Sequence, residues 1–291
     1  MVAALVVLLG IDAAVLDSRI DRFDVDLPDG PGDTWVLVGL DSRADLPAGA
    51  TAKQFGTTED VPGSRADVVL VLHETADGPE VLSVPRDVVV RTDVGAGRLA
   101  LTWLDGPQAT VDALCNLGIP TDHLVALDIA GFASMVDALG GLDLEVPAAV
   151  RDPYSGLLLE RPGAQHVDGT TALAMVRSRH PEERVDGRWV PAPVDPDGRA
   201  ETAGTVLSAL ADAGDRAILR PWRLQRAAWT GSDAVSVDDG TSLADLAGLA
   251  TAATGPVKVL PVGDPVGDRI VRLPTDETKQ AVADAGLSCQ G

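Results

Sequence analysis

The stretch ADVVLVLHETADGPEVLSVPRD, residues 66–87, decides the fold. ADVVLVLHE (66–74) and EVLSV (80–84) are rich in Val and Leu, and each predicts a short buried strand. TADGP, which lies between them, has the residues of a tight turn. A third apolar segment, TWVLVG (34–39), precedes this pair and predicts another buried strand. Three strands of one sheet are therefore expected in the first third of the chain.

Strand and helix patterns continue to alternate beyond this stretch. Further strands are predicted at 123–129, 142–146 and 257–262, and helices at 106–118, 131–141, 168–177, about 199–213 and 241–253. Asp168 is a candidate N-cap, and a Ser242/Asp245 pair has the pattern of a capping box. Without internal repeats or low-complexity tracts, this order predicts an α/β fold. The expected architecture is an αβα sandwich with a central mixed sheet and helices on both faces.

Composition limits the classes of function. The 291 residues suit one large domain, or one domain with a small appendage. The formal net charge is −21 and the isoelectric point is about 4.3. Such an acidic chain has no basic stripe for nucleic acid. The same balance argues against docking on anionic lipid headgroups by overall charge alone.

Seven arginines stand at the ends of apolar segments in this acidic chain. They are Arg43, Arg65, Arg86, Arg98, Arg177, Arg179 and Arg199. If they converge, their guanidinium groups form a positive pocket suited to phosphate, and above all to pyrophosphate. Asp41, Asp67 and Asp87 accompany the first three arginines, and carboxylates there can orient the arginines, bind a divalent cation or accept a proton.

The arginines of the first three motifs can meet only in one strand topology. GLDSR (39–43) follows the first strand, SRAD (64–67) precedes the second, and PRD (85–87) follows the third. These three motifs meet at one sheet edge only if the second strand runs antiparallel to the other two. Taken singly, Arg65 with Asp67 has an ordinary role as a surface ion pair at a strand start, and Arg86 with Asp87 has one as a turn. For Arg177 and Arg179 the ordinary role is that of cations at a helix end.

The N-terminal segment MVAALVVLLGI (1–11) is apolar but shorter than the roughly twenty residues that span a bilayer. Residues 17–33 have the composition of an exposed linker, which would leave the apolar run without a core to join. We therefore expect residues 1–16 to be part of a membrane anchor, 17–33 a linker and 34–291 one domain. A cleaved signal or a core element is the alternative. Residues 182–199, EERVDGRWVPAPVDPDGR, are expected to form a loop beside the site.

Cys115 and Cys289 are the two cysteines of the chain. A bridge between them is possible in an oxidising compartment, but the connectivity cannot be deduced from the sequence, so two thiols are the default expectation.

Six motifs in order give the chain a resemblance to the LytR-CpsA-Psr family. They are GLDSR (39–43), SRADVVLVLH (64–73), VLSVPRD (81–87), DHLVALDIAGFASMVDALGGLDLEVP (122–147), GAQHVDGTTALAMVRSRHPEE (163–183) and DGR (197–199). The resemblance implies a membrane-anchored, extracytoplasmic domain. It also implies a Mg²⁺-dependent phosphotransferase that moves a glycopolymer from a polyprenyl-pyrophosphate carrier to peptidoglycan.

The resemblance also implies roles for individual residues. Asp41, Arg65, Asp67 and Arg86 would be catalytic, with Asp41 and Asp67 holding Mg²⁺. The pyrophosphate would be bound by Arg43, Arg98, Arg177, Arg179 and Arg199. Arg188, in an earlier DGR copy, is an alternative to Arg199. Leu99, Trp103 and Phe132 are possible linings of a lipid groove, although each is more often a core residue.

The chain departs from the family pattern at two places. Ala100 stands where relatives have Asn, and Thr202 and Ala203 replace an Arg-Gln pair. Losing one charge-assisted phosphate contact costs about 1.5–3 kcal/mol. A weakened protein that only binds the glycolipid is therefore one alternative function, and a hydrolase of pyrophosphate lipids is another.

Overall fold

The computed structural model describes residues 12–28, 30–42, 62–75, 78–93, 95–192, 200–252, 257–267 and 270–289. The strands are β1 (Asp21–Phe23), β2 (Thr34–Leu40), β3 (Ala66–Thr75), β4 (Gly78–Ser83), β5 (Val89–Thr92), β6 (Gly95–Arg98), β7 (His123–Asp128), β8 (Leu142–Val146), β9 (Val150–Asp152), β10 (Leu157–Leu159), β11 (Gly163–Val167), β12 (Glu182–Val185), β13 (Arg188–Pro191), β14 (Val235–Asp238) and β15 (Val257–Val259). The helices are α1 (Leu99–Thr102), α2 (Pro107–Cys115), α3 (Ile129–Leu139), α4 (Gly169–Arg177), α5 (Ala200–Ile218), α6 (Pro221–Ala234), α7 (Leu243–Ala252) and α8 (Asp276–Asp284).

Seven strands form the central mixed sheet in the order β1-β14-β7-β2-β3-β4-β15. The strand β3 runs antiparallel to both β2 and β4, as convergence of the three motifs requires. Leu40 at the end of β2 pairs with Ala66 at the start of β3, and a register irregularity follows Gly39. The ends of β2 and β4 and the start of β3 therefore lie at one edge of the sheet.

Successive side chains of a strand point to opposite faces of the sheet, and apolar cores bury both faces here. Val36 and Val71 belong to a core that includes Leu114 of α2 and Val282 of α8. On the opposite face, Trp35 and Leu70 belong to a core packed by residues of α5 and α7. The predicted αβα sandwich is confirmed.

A third apolar cluster lies between α3, α4, α5, α6 and the β8–β11 pair. Asp168 caps α4, since its carboxylate accepts a hydrogen bond from the backbone N–H of Thr171 at 2.8 Å. The helix α4 ends at Arg177, and Ser178 has an extended backbone conformation. Arg179 therefore leaves the helix axis, as its spacing from Arg177 predicts.

The linker interpretation of residues 17–33 is corrected. Asp21–Phe23 is a strand of the central sheet, paired in parallel with β14, and Ile20 is buried. Leu16, placed at the end of the expected anchor, is also buried. These apolar side chains pack against the folded body, so the domain begins before residue 34. Residues 1–11 lie outside the described residues, and no helix within the described ranges is long and apolar enough to cross a membrane.

The expected loop at 182–199 is also corrected. Residues 182–191 form the hairpin β12–β13, in which Asp186 has a positive φ of 50° at the turn. Residues 193–199 lie outside the described residues. The helix α5 continues to Ile218 rather than stopping near Ala213, and α6 and α8 were not predicted.

Cys115 and Cys289 form a disulfide with a Cα–Cα distance of 5.2 Å, so the expectation of two thiols was wrong. The backbone N–H of Cys289 also donates to the carbonyl of Gly118 at 3.1 Å. The bridge thus ties the C-terminal segment to the end of α2, although 174 residues separate the cysteines.

Replacing both cysteines with serine is expected to lower the free energy of unfolding by about 4 kcal/mol, because the bridge closes a long loop in the unfolded chain. Thermal unfolding with and without a reducing agent measures this effect. The reducing agent should lower the Tm of the wild type and leave the double serine variant unchanged. An unchanged wild-type Tm after complete reduction would contradict the expectation.

Candidate anion-binding site at the sheet edge

The site begins where β2 meets β3. The backbone N–H of Asp41 donates to the carbonyl of Arg65 at 3.1 Å. In return, the backbone N–H of Arg65 donates to Oδ1 of Asp41 at 2.9 Å. This reciprocal pair fixes the GLDSR and SRAD motifs against each other at the sheet edge.

Asp67 joins two arginines that are distant in the sequence. Its Oδ1 accepts a hydrogen bond from Nη1 of Arg86, and its Oδ2 accepts one from Nη2 of Arg179 at 3.1 Å. Arg86 follows β4, whereas Arg179 follows α4. The carboxylate therefore orients two guanidinium groups from different parts of the fold.

Asp87 extends this network by one more arginine. Nε of Arg86 lies 3.5 Å from Oδ2 of Asp87, and Nη1 of Arg98 lies 3.3 Å from Oδ1. The backbone N–H of Ala100 donates to the carbonyl of Arg86 at 2.8 Å, which fixes the turn. Arg98, Asp87, Arg86, Asp67 and Arg179 thus form a continuous chain of alternating charge, which we call the arginine–aspartate network.

Electrostatics support the same grouping. The pKa of Arg179 is lowered, first by burial and then by the positive charge of Arg86. Asp67, Asp87 and Asp41 act in the opposite direction and favour the charged form of Arg179. An arginine remains protonated at neutral pH even so. The two neighbouring guanidinium groups repel each other, and a dianion bound between them would reduce this repulsion.

Asp152, at the end of β9, is a functional candidate that the sequence analysis missed. It is fully buried, and its Oδ2 accepts hydrogen bonds from the hydroxyl of Ser178 and from the backbone N–H groups of Arg179 and His180 at 2.8–2.9 Å. Its Oδ1 accepts another from the backbone N–H of Tyr154. These contacts hold the segment that carries Arg179.

The pKa of Asp152 follows from this environment. Burial by itself would raise the pKa, but the bonds from His180, Ser178, Arg179 and Tyr154 together outweigh burial and hold it below the ordinary value of 3.8. The carboxylate is therefore ionised at neutral pH. A signal was available in the sequence, since Asp152 stands before Pro153 in RDPYSG, but an Asp-Pro pair also suits an ordinary turn.

The remaining predicted residues have different outcomes. Arg177 lies in the last turn of α4, and its Nη1 atom is buried. Arg43 and Arg199 lie outside the described residues. Arg188 is exposed at the start of β13, on the hairpin. The catalytic and binding roles assigned to these residues, and to the members of the network, stay predictions.

The suggested lipid groove does not form one surface. Leu99 is fully buried in the core that includes α2, and Trp103 packs against that core. Phe132 packs against the third apolar cluster, beside α4 and α5. Ala100 and Ala203 are buried as well, at 2% and 9% exposure, so small apolar side chains suit these two of the three positions where the chain departs from the family pattern; the third, Thr202, is half-buried.

The fold and the arginine–aspartate network define an α/β protein with a cationic site at one edge of its central sheet. Residues 20–189 match the LytR_cpsA_psr family, and the chain belongs to this family. The resemblance found in the six motifs is confirmed.

Two relatives from bacteria have named cell-wall roles. The probable cell wall biosynthesis protein LcpB of Corynebacterium glutamicum is 33% identical over 172 residues, or 56% of this chain and 41% of that protein. The polyisoprenyl-teichoic acid–peptidoglycan teichoic acid transferase TagU of Halalkalibacterium halodurans is 32% identical over 178 residues, or 58% of this chain and 52% of that protein. The chain thus spans about half the length of these relatives.

Solved structures extend the likeness over nearly the whole chain. The LytR-Csp2A-Psr enzyme from Actinomyces oris has a TM-score of 0.73 at 35% identity, covering 93% of this chain and 97% of that one. TagT of Bacillus subtilis has a TM-score of 0.59 at 18% identity, covering 91% and 97%, which supports the fold alone.

Proposed function

We propose that this chain transfers a glycopolymer phosphate from a polyprenyl-pyrophosphate carrier to a peptidoglycan acceptor. The observation that carries the proposal is the joining of Arg86 and Arg179 through Asp67 at one sheet edge. Three arginines and two aspartates make up the network, so a dianionic diphosphate would find excess positive charge there. The relative TagU of Halalkalibacterium halodurans is named as a transferase of this type.

The reaction requires positioning and charge neutralisation more than covalent participation of the protein. The acceptor hydroxyl oxygen forms a bond to the phosphorus that carries the glycan, and the phosphoanhydride bond to the polyprenyl phosphate breaks. The hydroxyl proton passes to a base, for which Asp41 is the candidate, or to solvent. Arg86 and Arg179 stabilise the charge that moves onto the leaving polyprenyl phosphate.

Magnesium belongs to the proposal as a cofactor. Mg²⁺ binds one or two carboxylates together with substrate phosphates and water, and Asp41 and Asp67 at adjoining strand ends fit this donor set. No group of three or more candidate ligand side chains occurs among the described residues, so substrate oxygens would complete the coordination. The ion would supply charge neutralisation at the diphosphate. Asp41 has two competing roles, metal ligand and base.

The disulfide supports a location outside the cytoplasm. Disulfides persist in oxidising compartments and are rare where thiols are kept reduced. Together with the apolar residues 1–11, the Cys115–Cys289 bridge supports a membrane-attached protein whose domain lies on the extracytoplasmic face.

A reconstituted transfer reaction tests the proposed function. The purified chain is incubated with a polyprenyl-pyrophosphate saccharide, Mg²⁺ and peptidoglycan, and products are separated by mass. We expect saccharide phosphate on peptidoglycan and free polyprenyl phosphate, with strong loss of both when a chelator removes Mg²⁺. Release of saccharide phosphate into water without acceptor would instead identify a hydrolase. Retained lipid binding without turnover would identify a binding protein.

A further inference from the structure

The junction of α5 and α6 differs in charge from the rest of this chain. Residues 216–226, RAILRPWRLQR, form what we call the α5–α6 corner. The corner contains four arginines, and no Asp or Glu occurs between Asp215 and Asp233. In a chain of net charge −21, such a run is a local reversal of sign.

The corner also exposes large apolar side chains. Ile218 is 62% exposed, Leu219 85%, Trp222 69% and Leu224 44%. The buried positions nearby carry alanines, Ala217 and Ala227, at 1% and 8% exposure. Folding alone favours the reverse, with large apolar side chains inside. A cluster of four exposed large apolar side chains, bordered by charges, is typical of an interaction surface.

The corner has a fixed position on the folded body. Arg223 Nη1 donates to the carbonyl of Leu139 at 3.4 Å, which ties α6 to the end of α3. The helix α6 also packs closely along α3, and Ser232 near its end is buried. The exposed side chains are therefore presented by a supported helix junction.

The start of the described chain contacts the same helix. Nε2 of Gln225 donates to Oδ1 of Asp12 at 2.9 Å, and the guanidinium of Arg19 lies 4.3 Å from the ring centroid of Trp229. Trp222, Gln225 and Trp229 recur at helical spacing, so they share one side of α6. Asp12 directly follows the apolar residues 1–11 in the sequence. The described chain thus begins in contact with the α5–α6 corner.

We infer that the α5–α6 corner docks on the surface of an anionic lipid bilayer. Trp has an apolar body and a polar N–H, and it favours the boundary between headgroups and acyl chains. Leu219 and Ile218 would enter that boundary, while the exposed Arg220 and Arg226 face lipid phosphates. Screening limits surface charges to a range of about 8–10 Å, so these local arginines act on headgroups although the whole chain is acidic.

Vesicle binding by the full 291-residue chain tests this inference. Co-sedimentation is measured with vesicles of phosphatidylglycerol and phosphatidylcholine, and with phosphatidylcholine alone. A charge variant, Arg220→Gln with Arg226→Gln, should bind the anionic vesicles about thirtyfold more weakly and the neutral vesicles unchanged. An apolar variant, Leu219→Ser with Trp222→Ser, should bind both kinds at least tenfold more weakly.

A matched control removes exposed apolar side chains elsewhere. Ile270 and Leu273 are 57% and 51% exposed, and Ile270→Ser with Leu273→Ser should bind like the wild type. All variants keep residues 1–11, so differences report on the corner. Equal binding by every variant would overturn the inference. Concentration-dependent dimerisation that the apolar variant abolishes, without any change in vesicle binding, would assign the corner to a second copy and would also overturn it. No glycolipid donor is present, so the result is independent of the transfer assay.

Discussion

Replacing Arg86 with alanine is expected to reduce glycopolymer transfer by at least a hundredfold. Arg86 contacts Asp67 and Asp87 and stands at the centre of the arginine–aspartate network. Its removal would take away one proposed charge-assisted contact to the diphosphate, and it frees the carboxylate of Asp67 from one of its two arginine partners. A combined loss of about 3 kcal/mol in transition-state stabilisation corresponds to this factor. The measurement is the initial rate of transfer with excess Mg²⁺.

Two further variants test whether the effect depends on the position of the arginine and on its side-chain geometry. Arg91→Ala removes an exposed arginine from the neighbouring strand β5 and should transfer at the wild-type rate. Arg86→Lys keeps the charge but loses the planar, forked geometry that reaches two carboxylates, so its rate should fall between those of the alanine variant and the wild type. Wild-type activity in Arg86→Ala would show that the arginine–aspartate network is not the site of transfer.

Replacing Asp152 with alanine is expected to destabilise the protein by about 3 kcal/mol and to reduce transfer. The change leaves the hydroxyl of Ser178 and the N–H groups of Tyr154, Arg179 and His180 without their acceptor. The Ser178 hydrogen bond is buried and the other three are partly buried, so losing the acceptor is costly. Arg179 then loses the support that directs its guanidinium toward Asp67. Chemical denaturation measures the stability, and transfer is assayed at a temperature where the variant is folded.

The control for this prediction is an exposed aspartate with ionic partners. Asp143 contacts His166 and Arg216 but is 62% exposed, so Asp143→Ala should change the stability by no more than about 1 kcal/mol.

The dependence of stability on pH gives a second test of the role of Asp152. The pKa of Asp152 is lowered by folding, so its contribution is complete above pH 3.8 and is lost as the pH falls further through the folded-state pKa. Equal stability of Asp152→Ala and wild type at neutral pH would contradict the assigned role.

Local patterns in the sequence were sufficient for the middle strands of the central sheet and for its site edge, but not for β1 and β14. The apolar runs of β2, β3 and β4 are each continuous, and the motif order required an antiparallel β3, which the structure has. Asp67, Arg86 and Arg179 could be grouped because the family motifs contain them. Their actual joining, with one carboxylate between two guanidinium groups, depends on tertiary contacts over 112 residues.

Other features depend on partners that a single sequence does not specify. The strand β1 has three residues, and its place in the sheet follows from pairing with β14, more than 200 residues later. The helix α6 could not be predicted from apolar periodicity, because its large apolar residues Trp222 and Leu224 are exposed. In the sequence Asp152 resembles a turn residue. Its distant donors, from Ser178, Arg179 and His180, reach it only when the end of α4 lies beside the end of β9. The Cys115–Cys289 pair likewise required the C-terminal segment to return to α2.

The most direct test of the central claim is a crystal structure of the chain with a short polyprenyl diphosphate. We predict diphosphate oxygens within about 2.7–3.2 Å of guanidinium nitrogens of both Arg86 and Arg179. A diphosphate bound elsewhere, with Asp67 still holding both arginines and no ligand between them, would contradict the account.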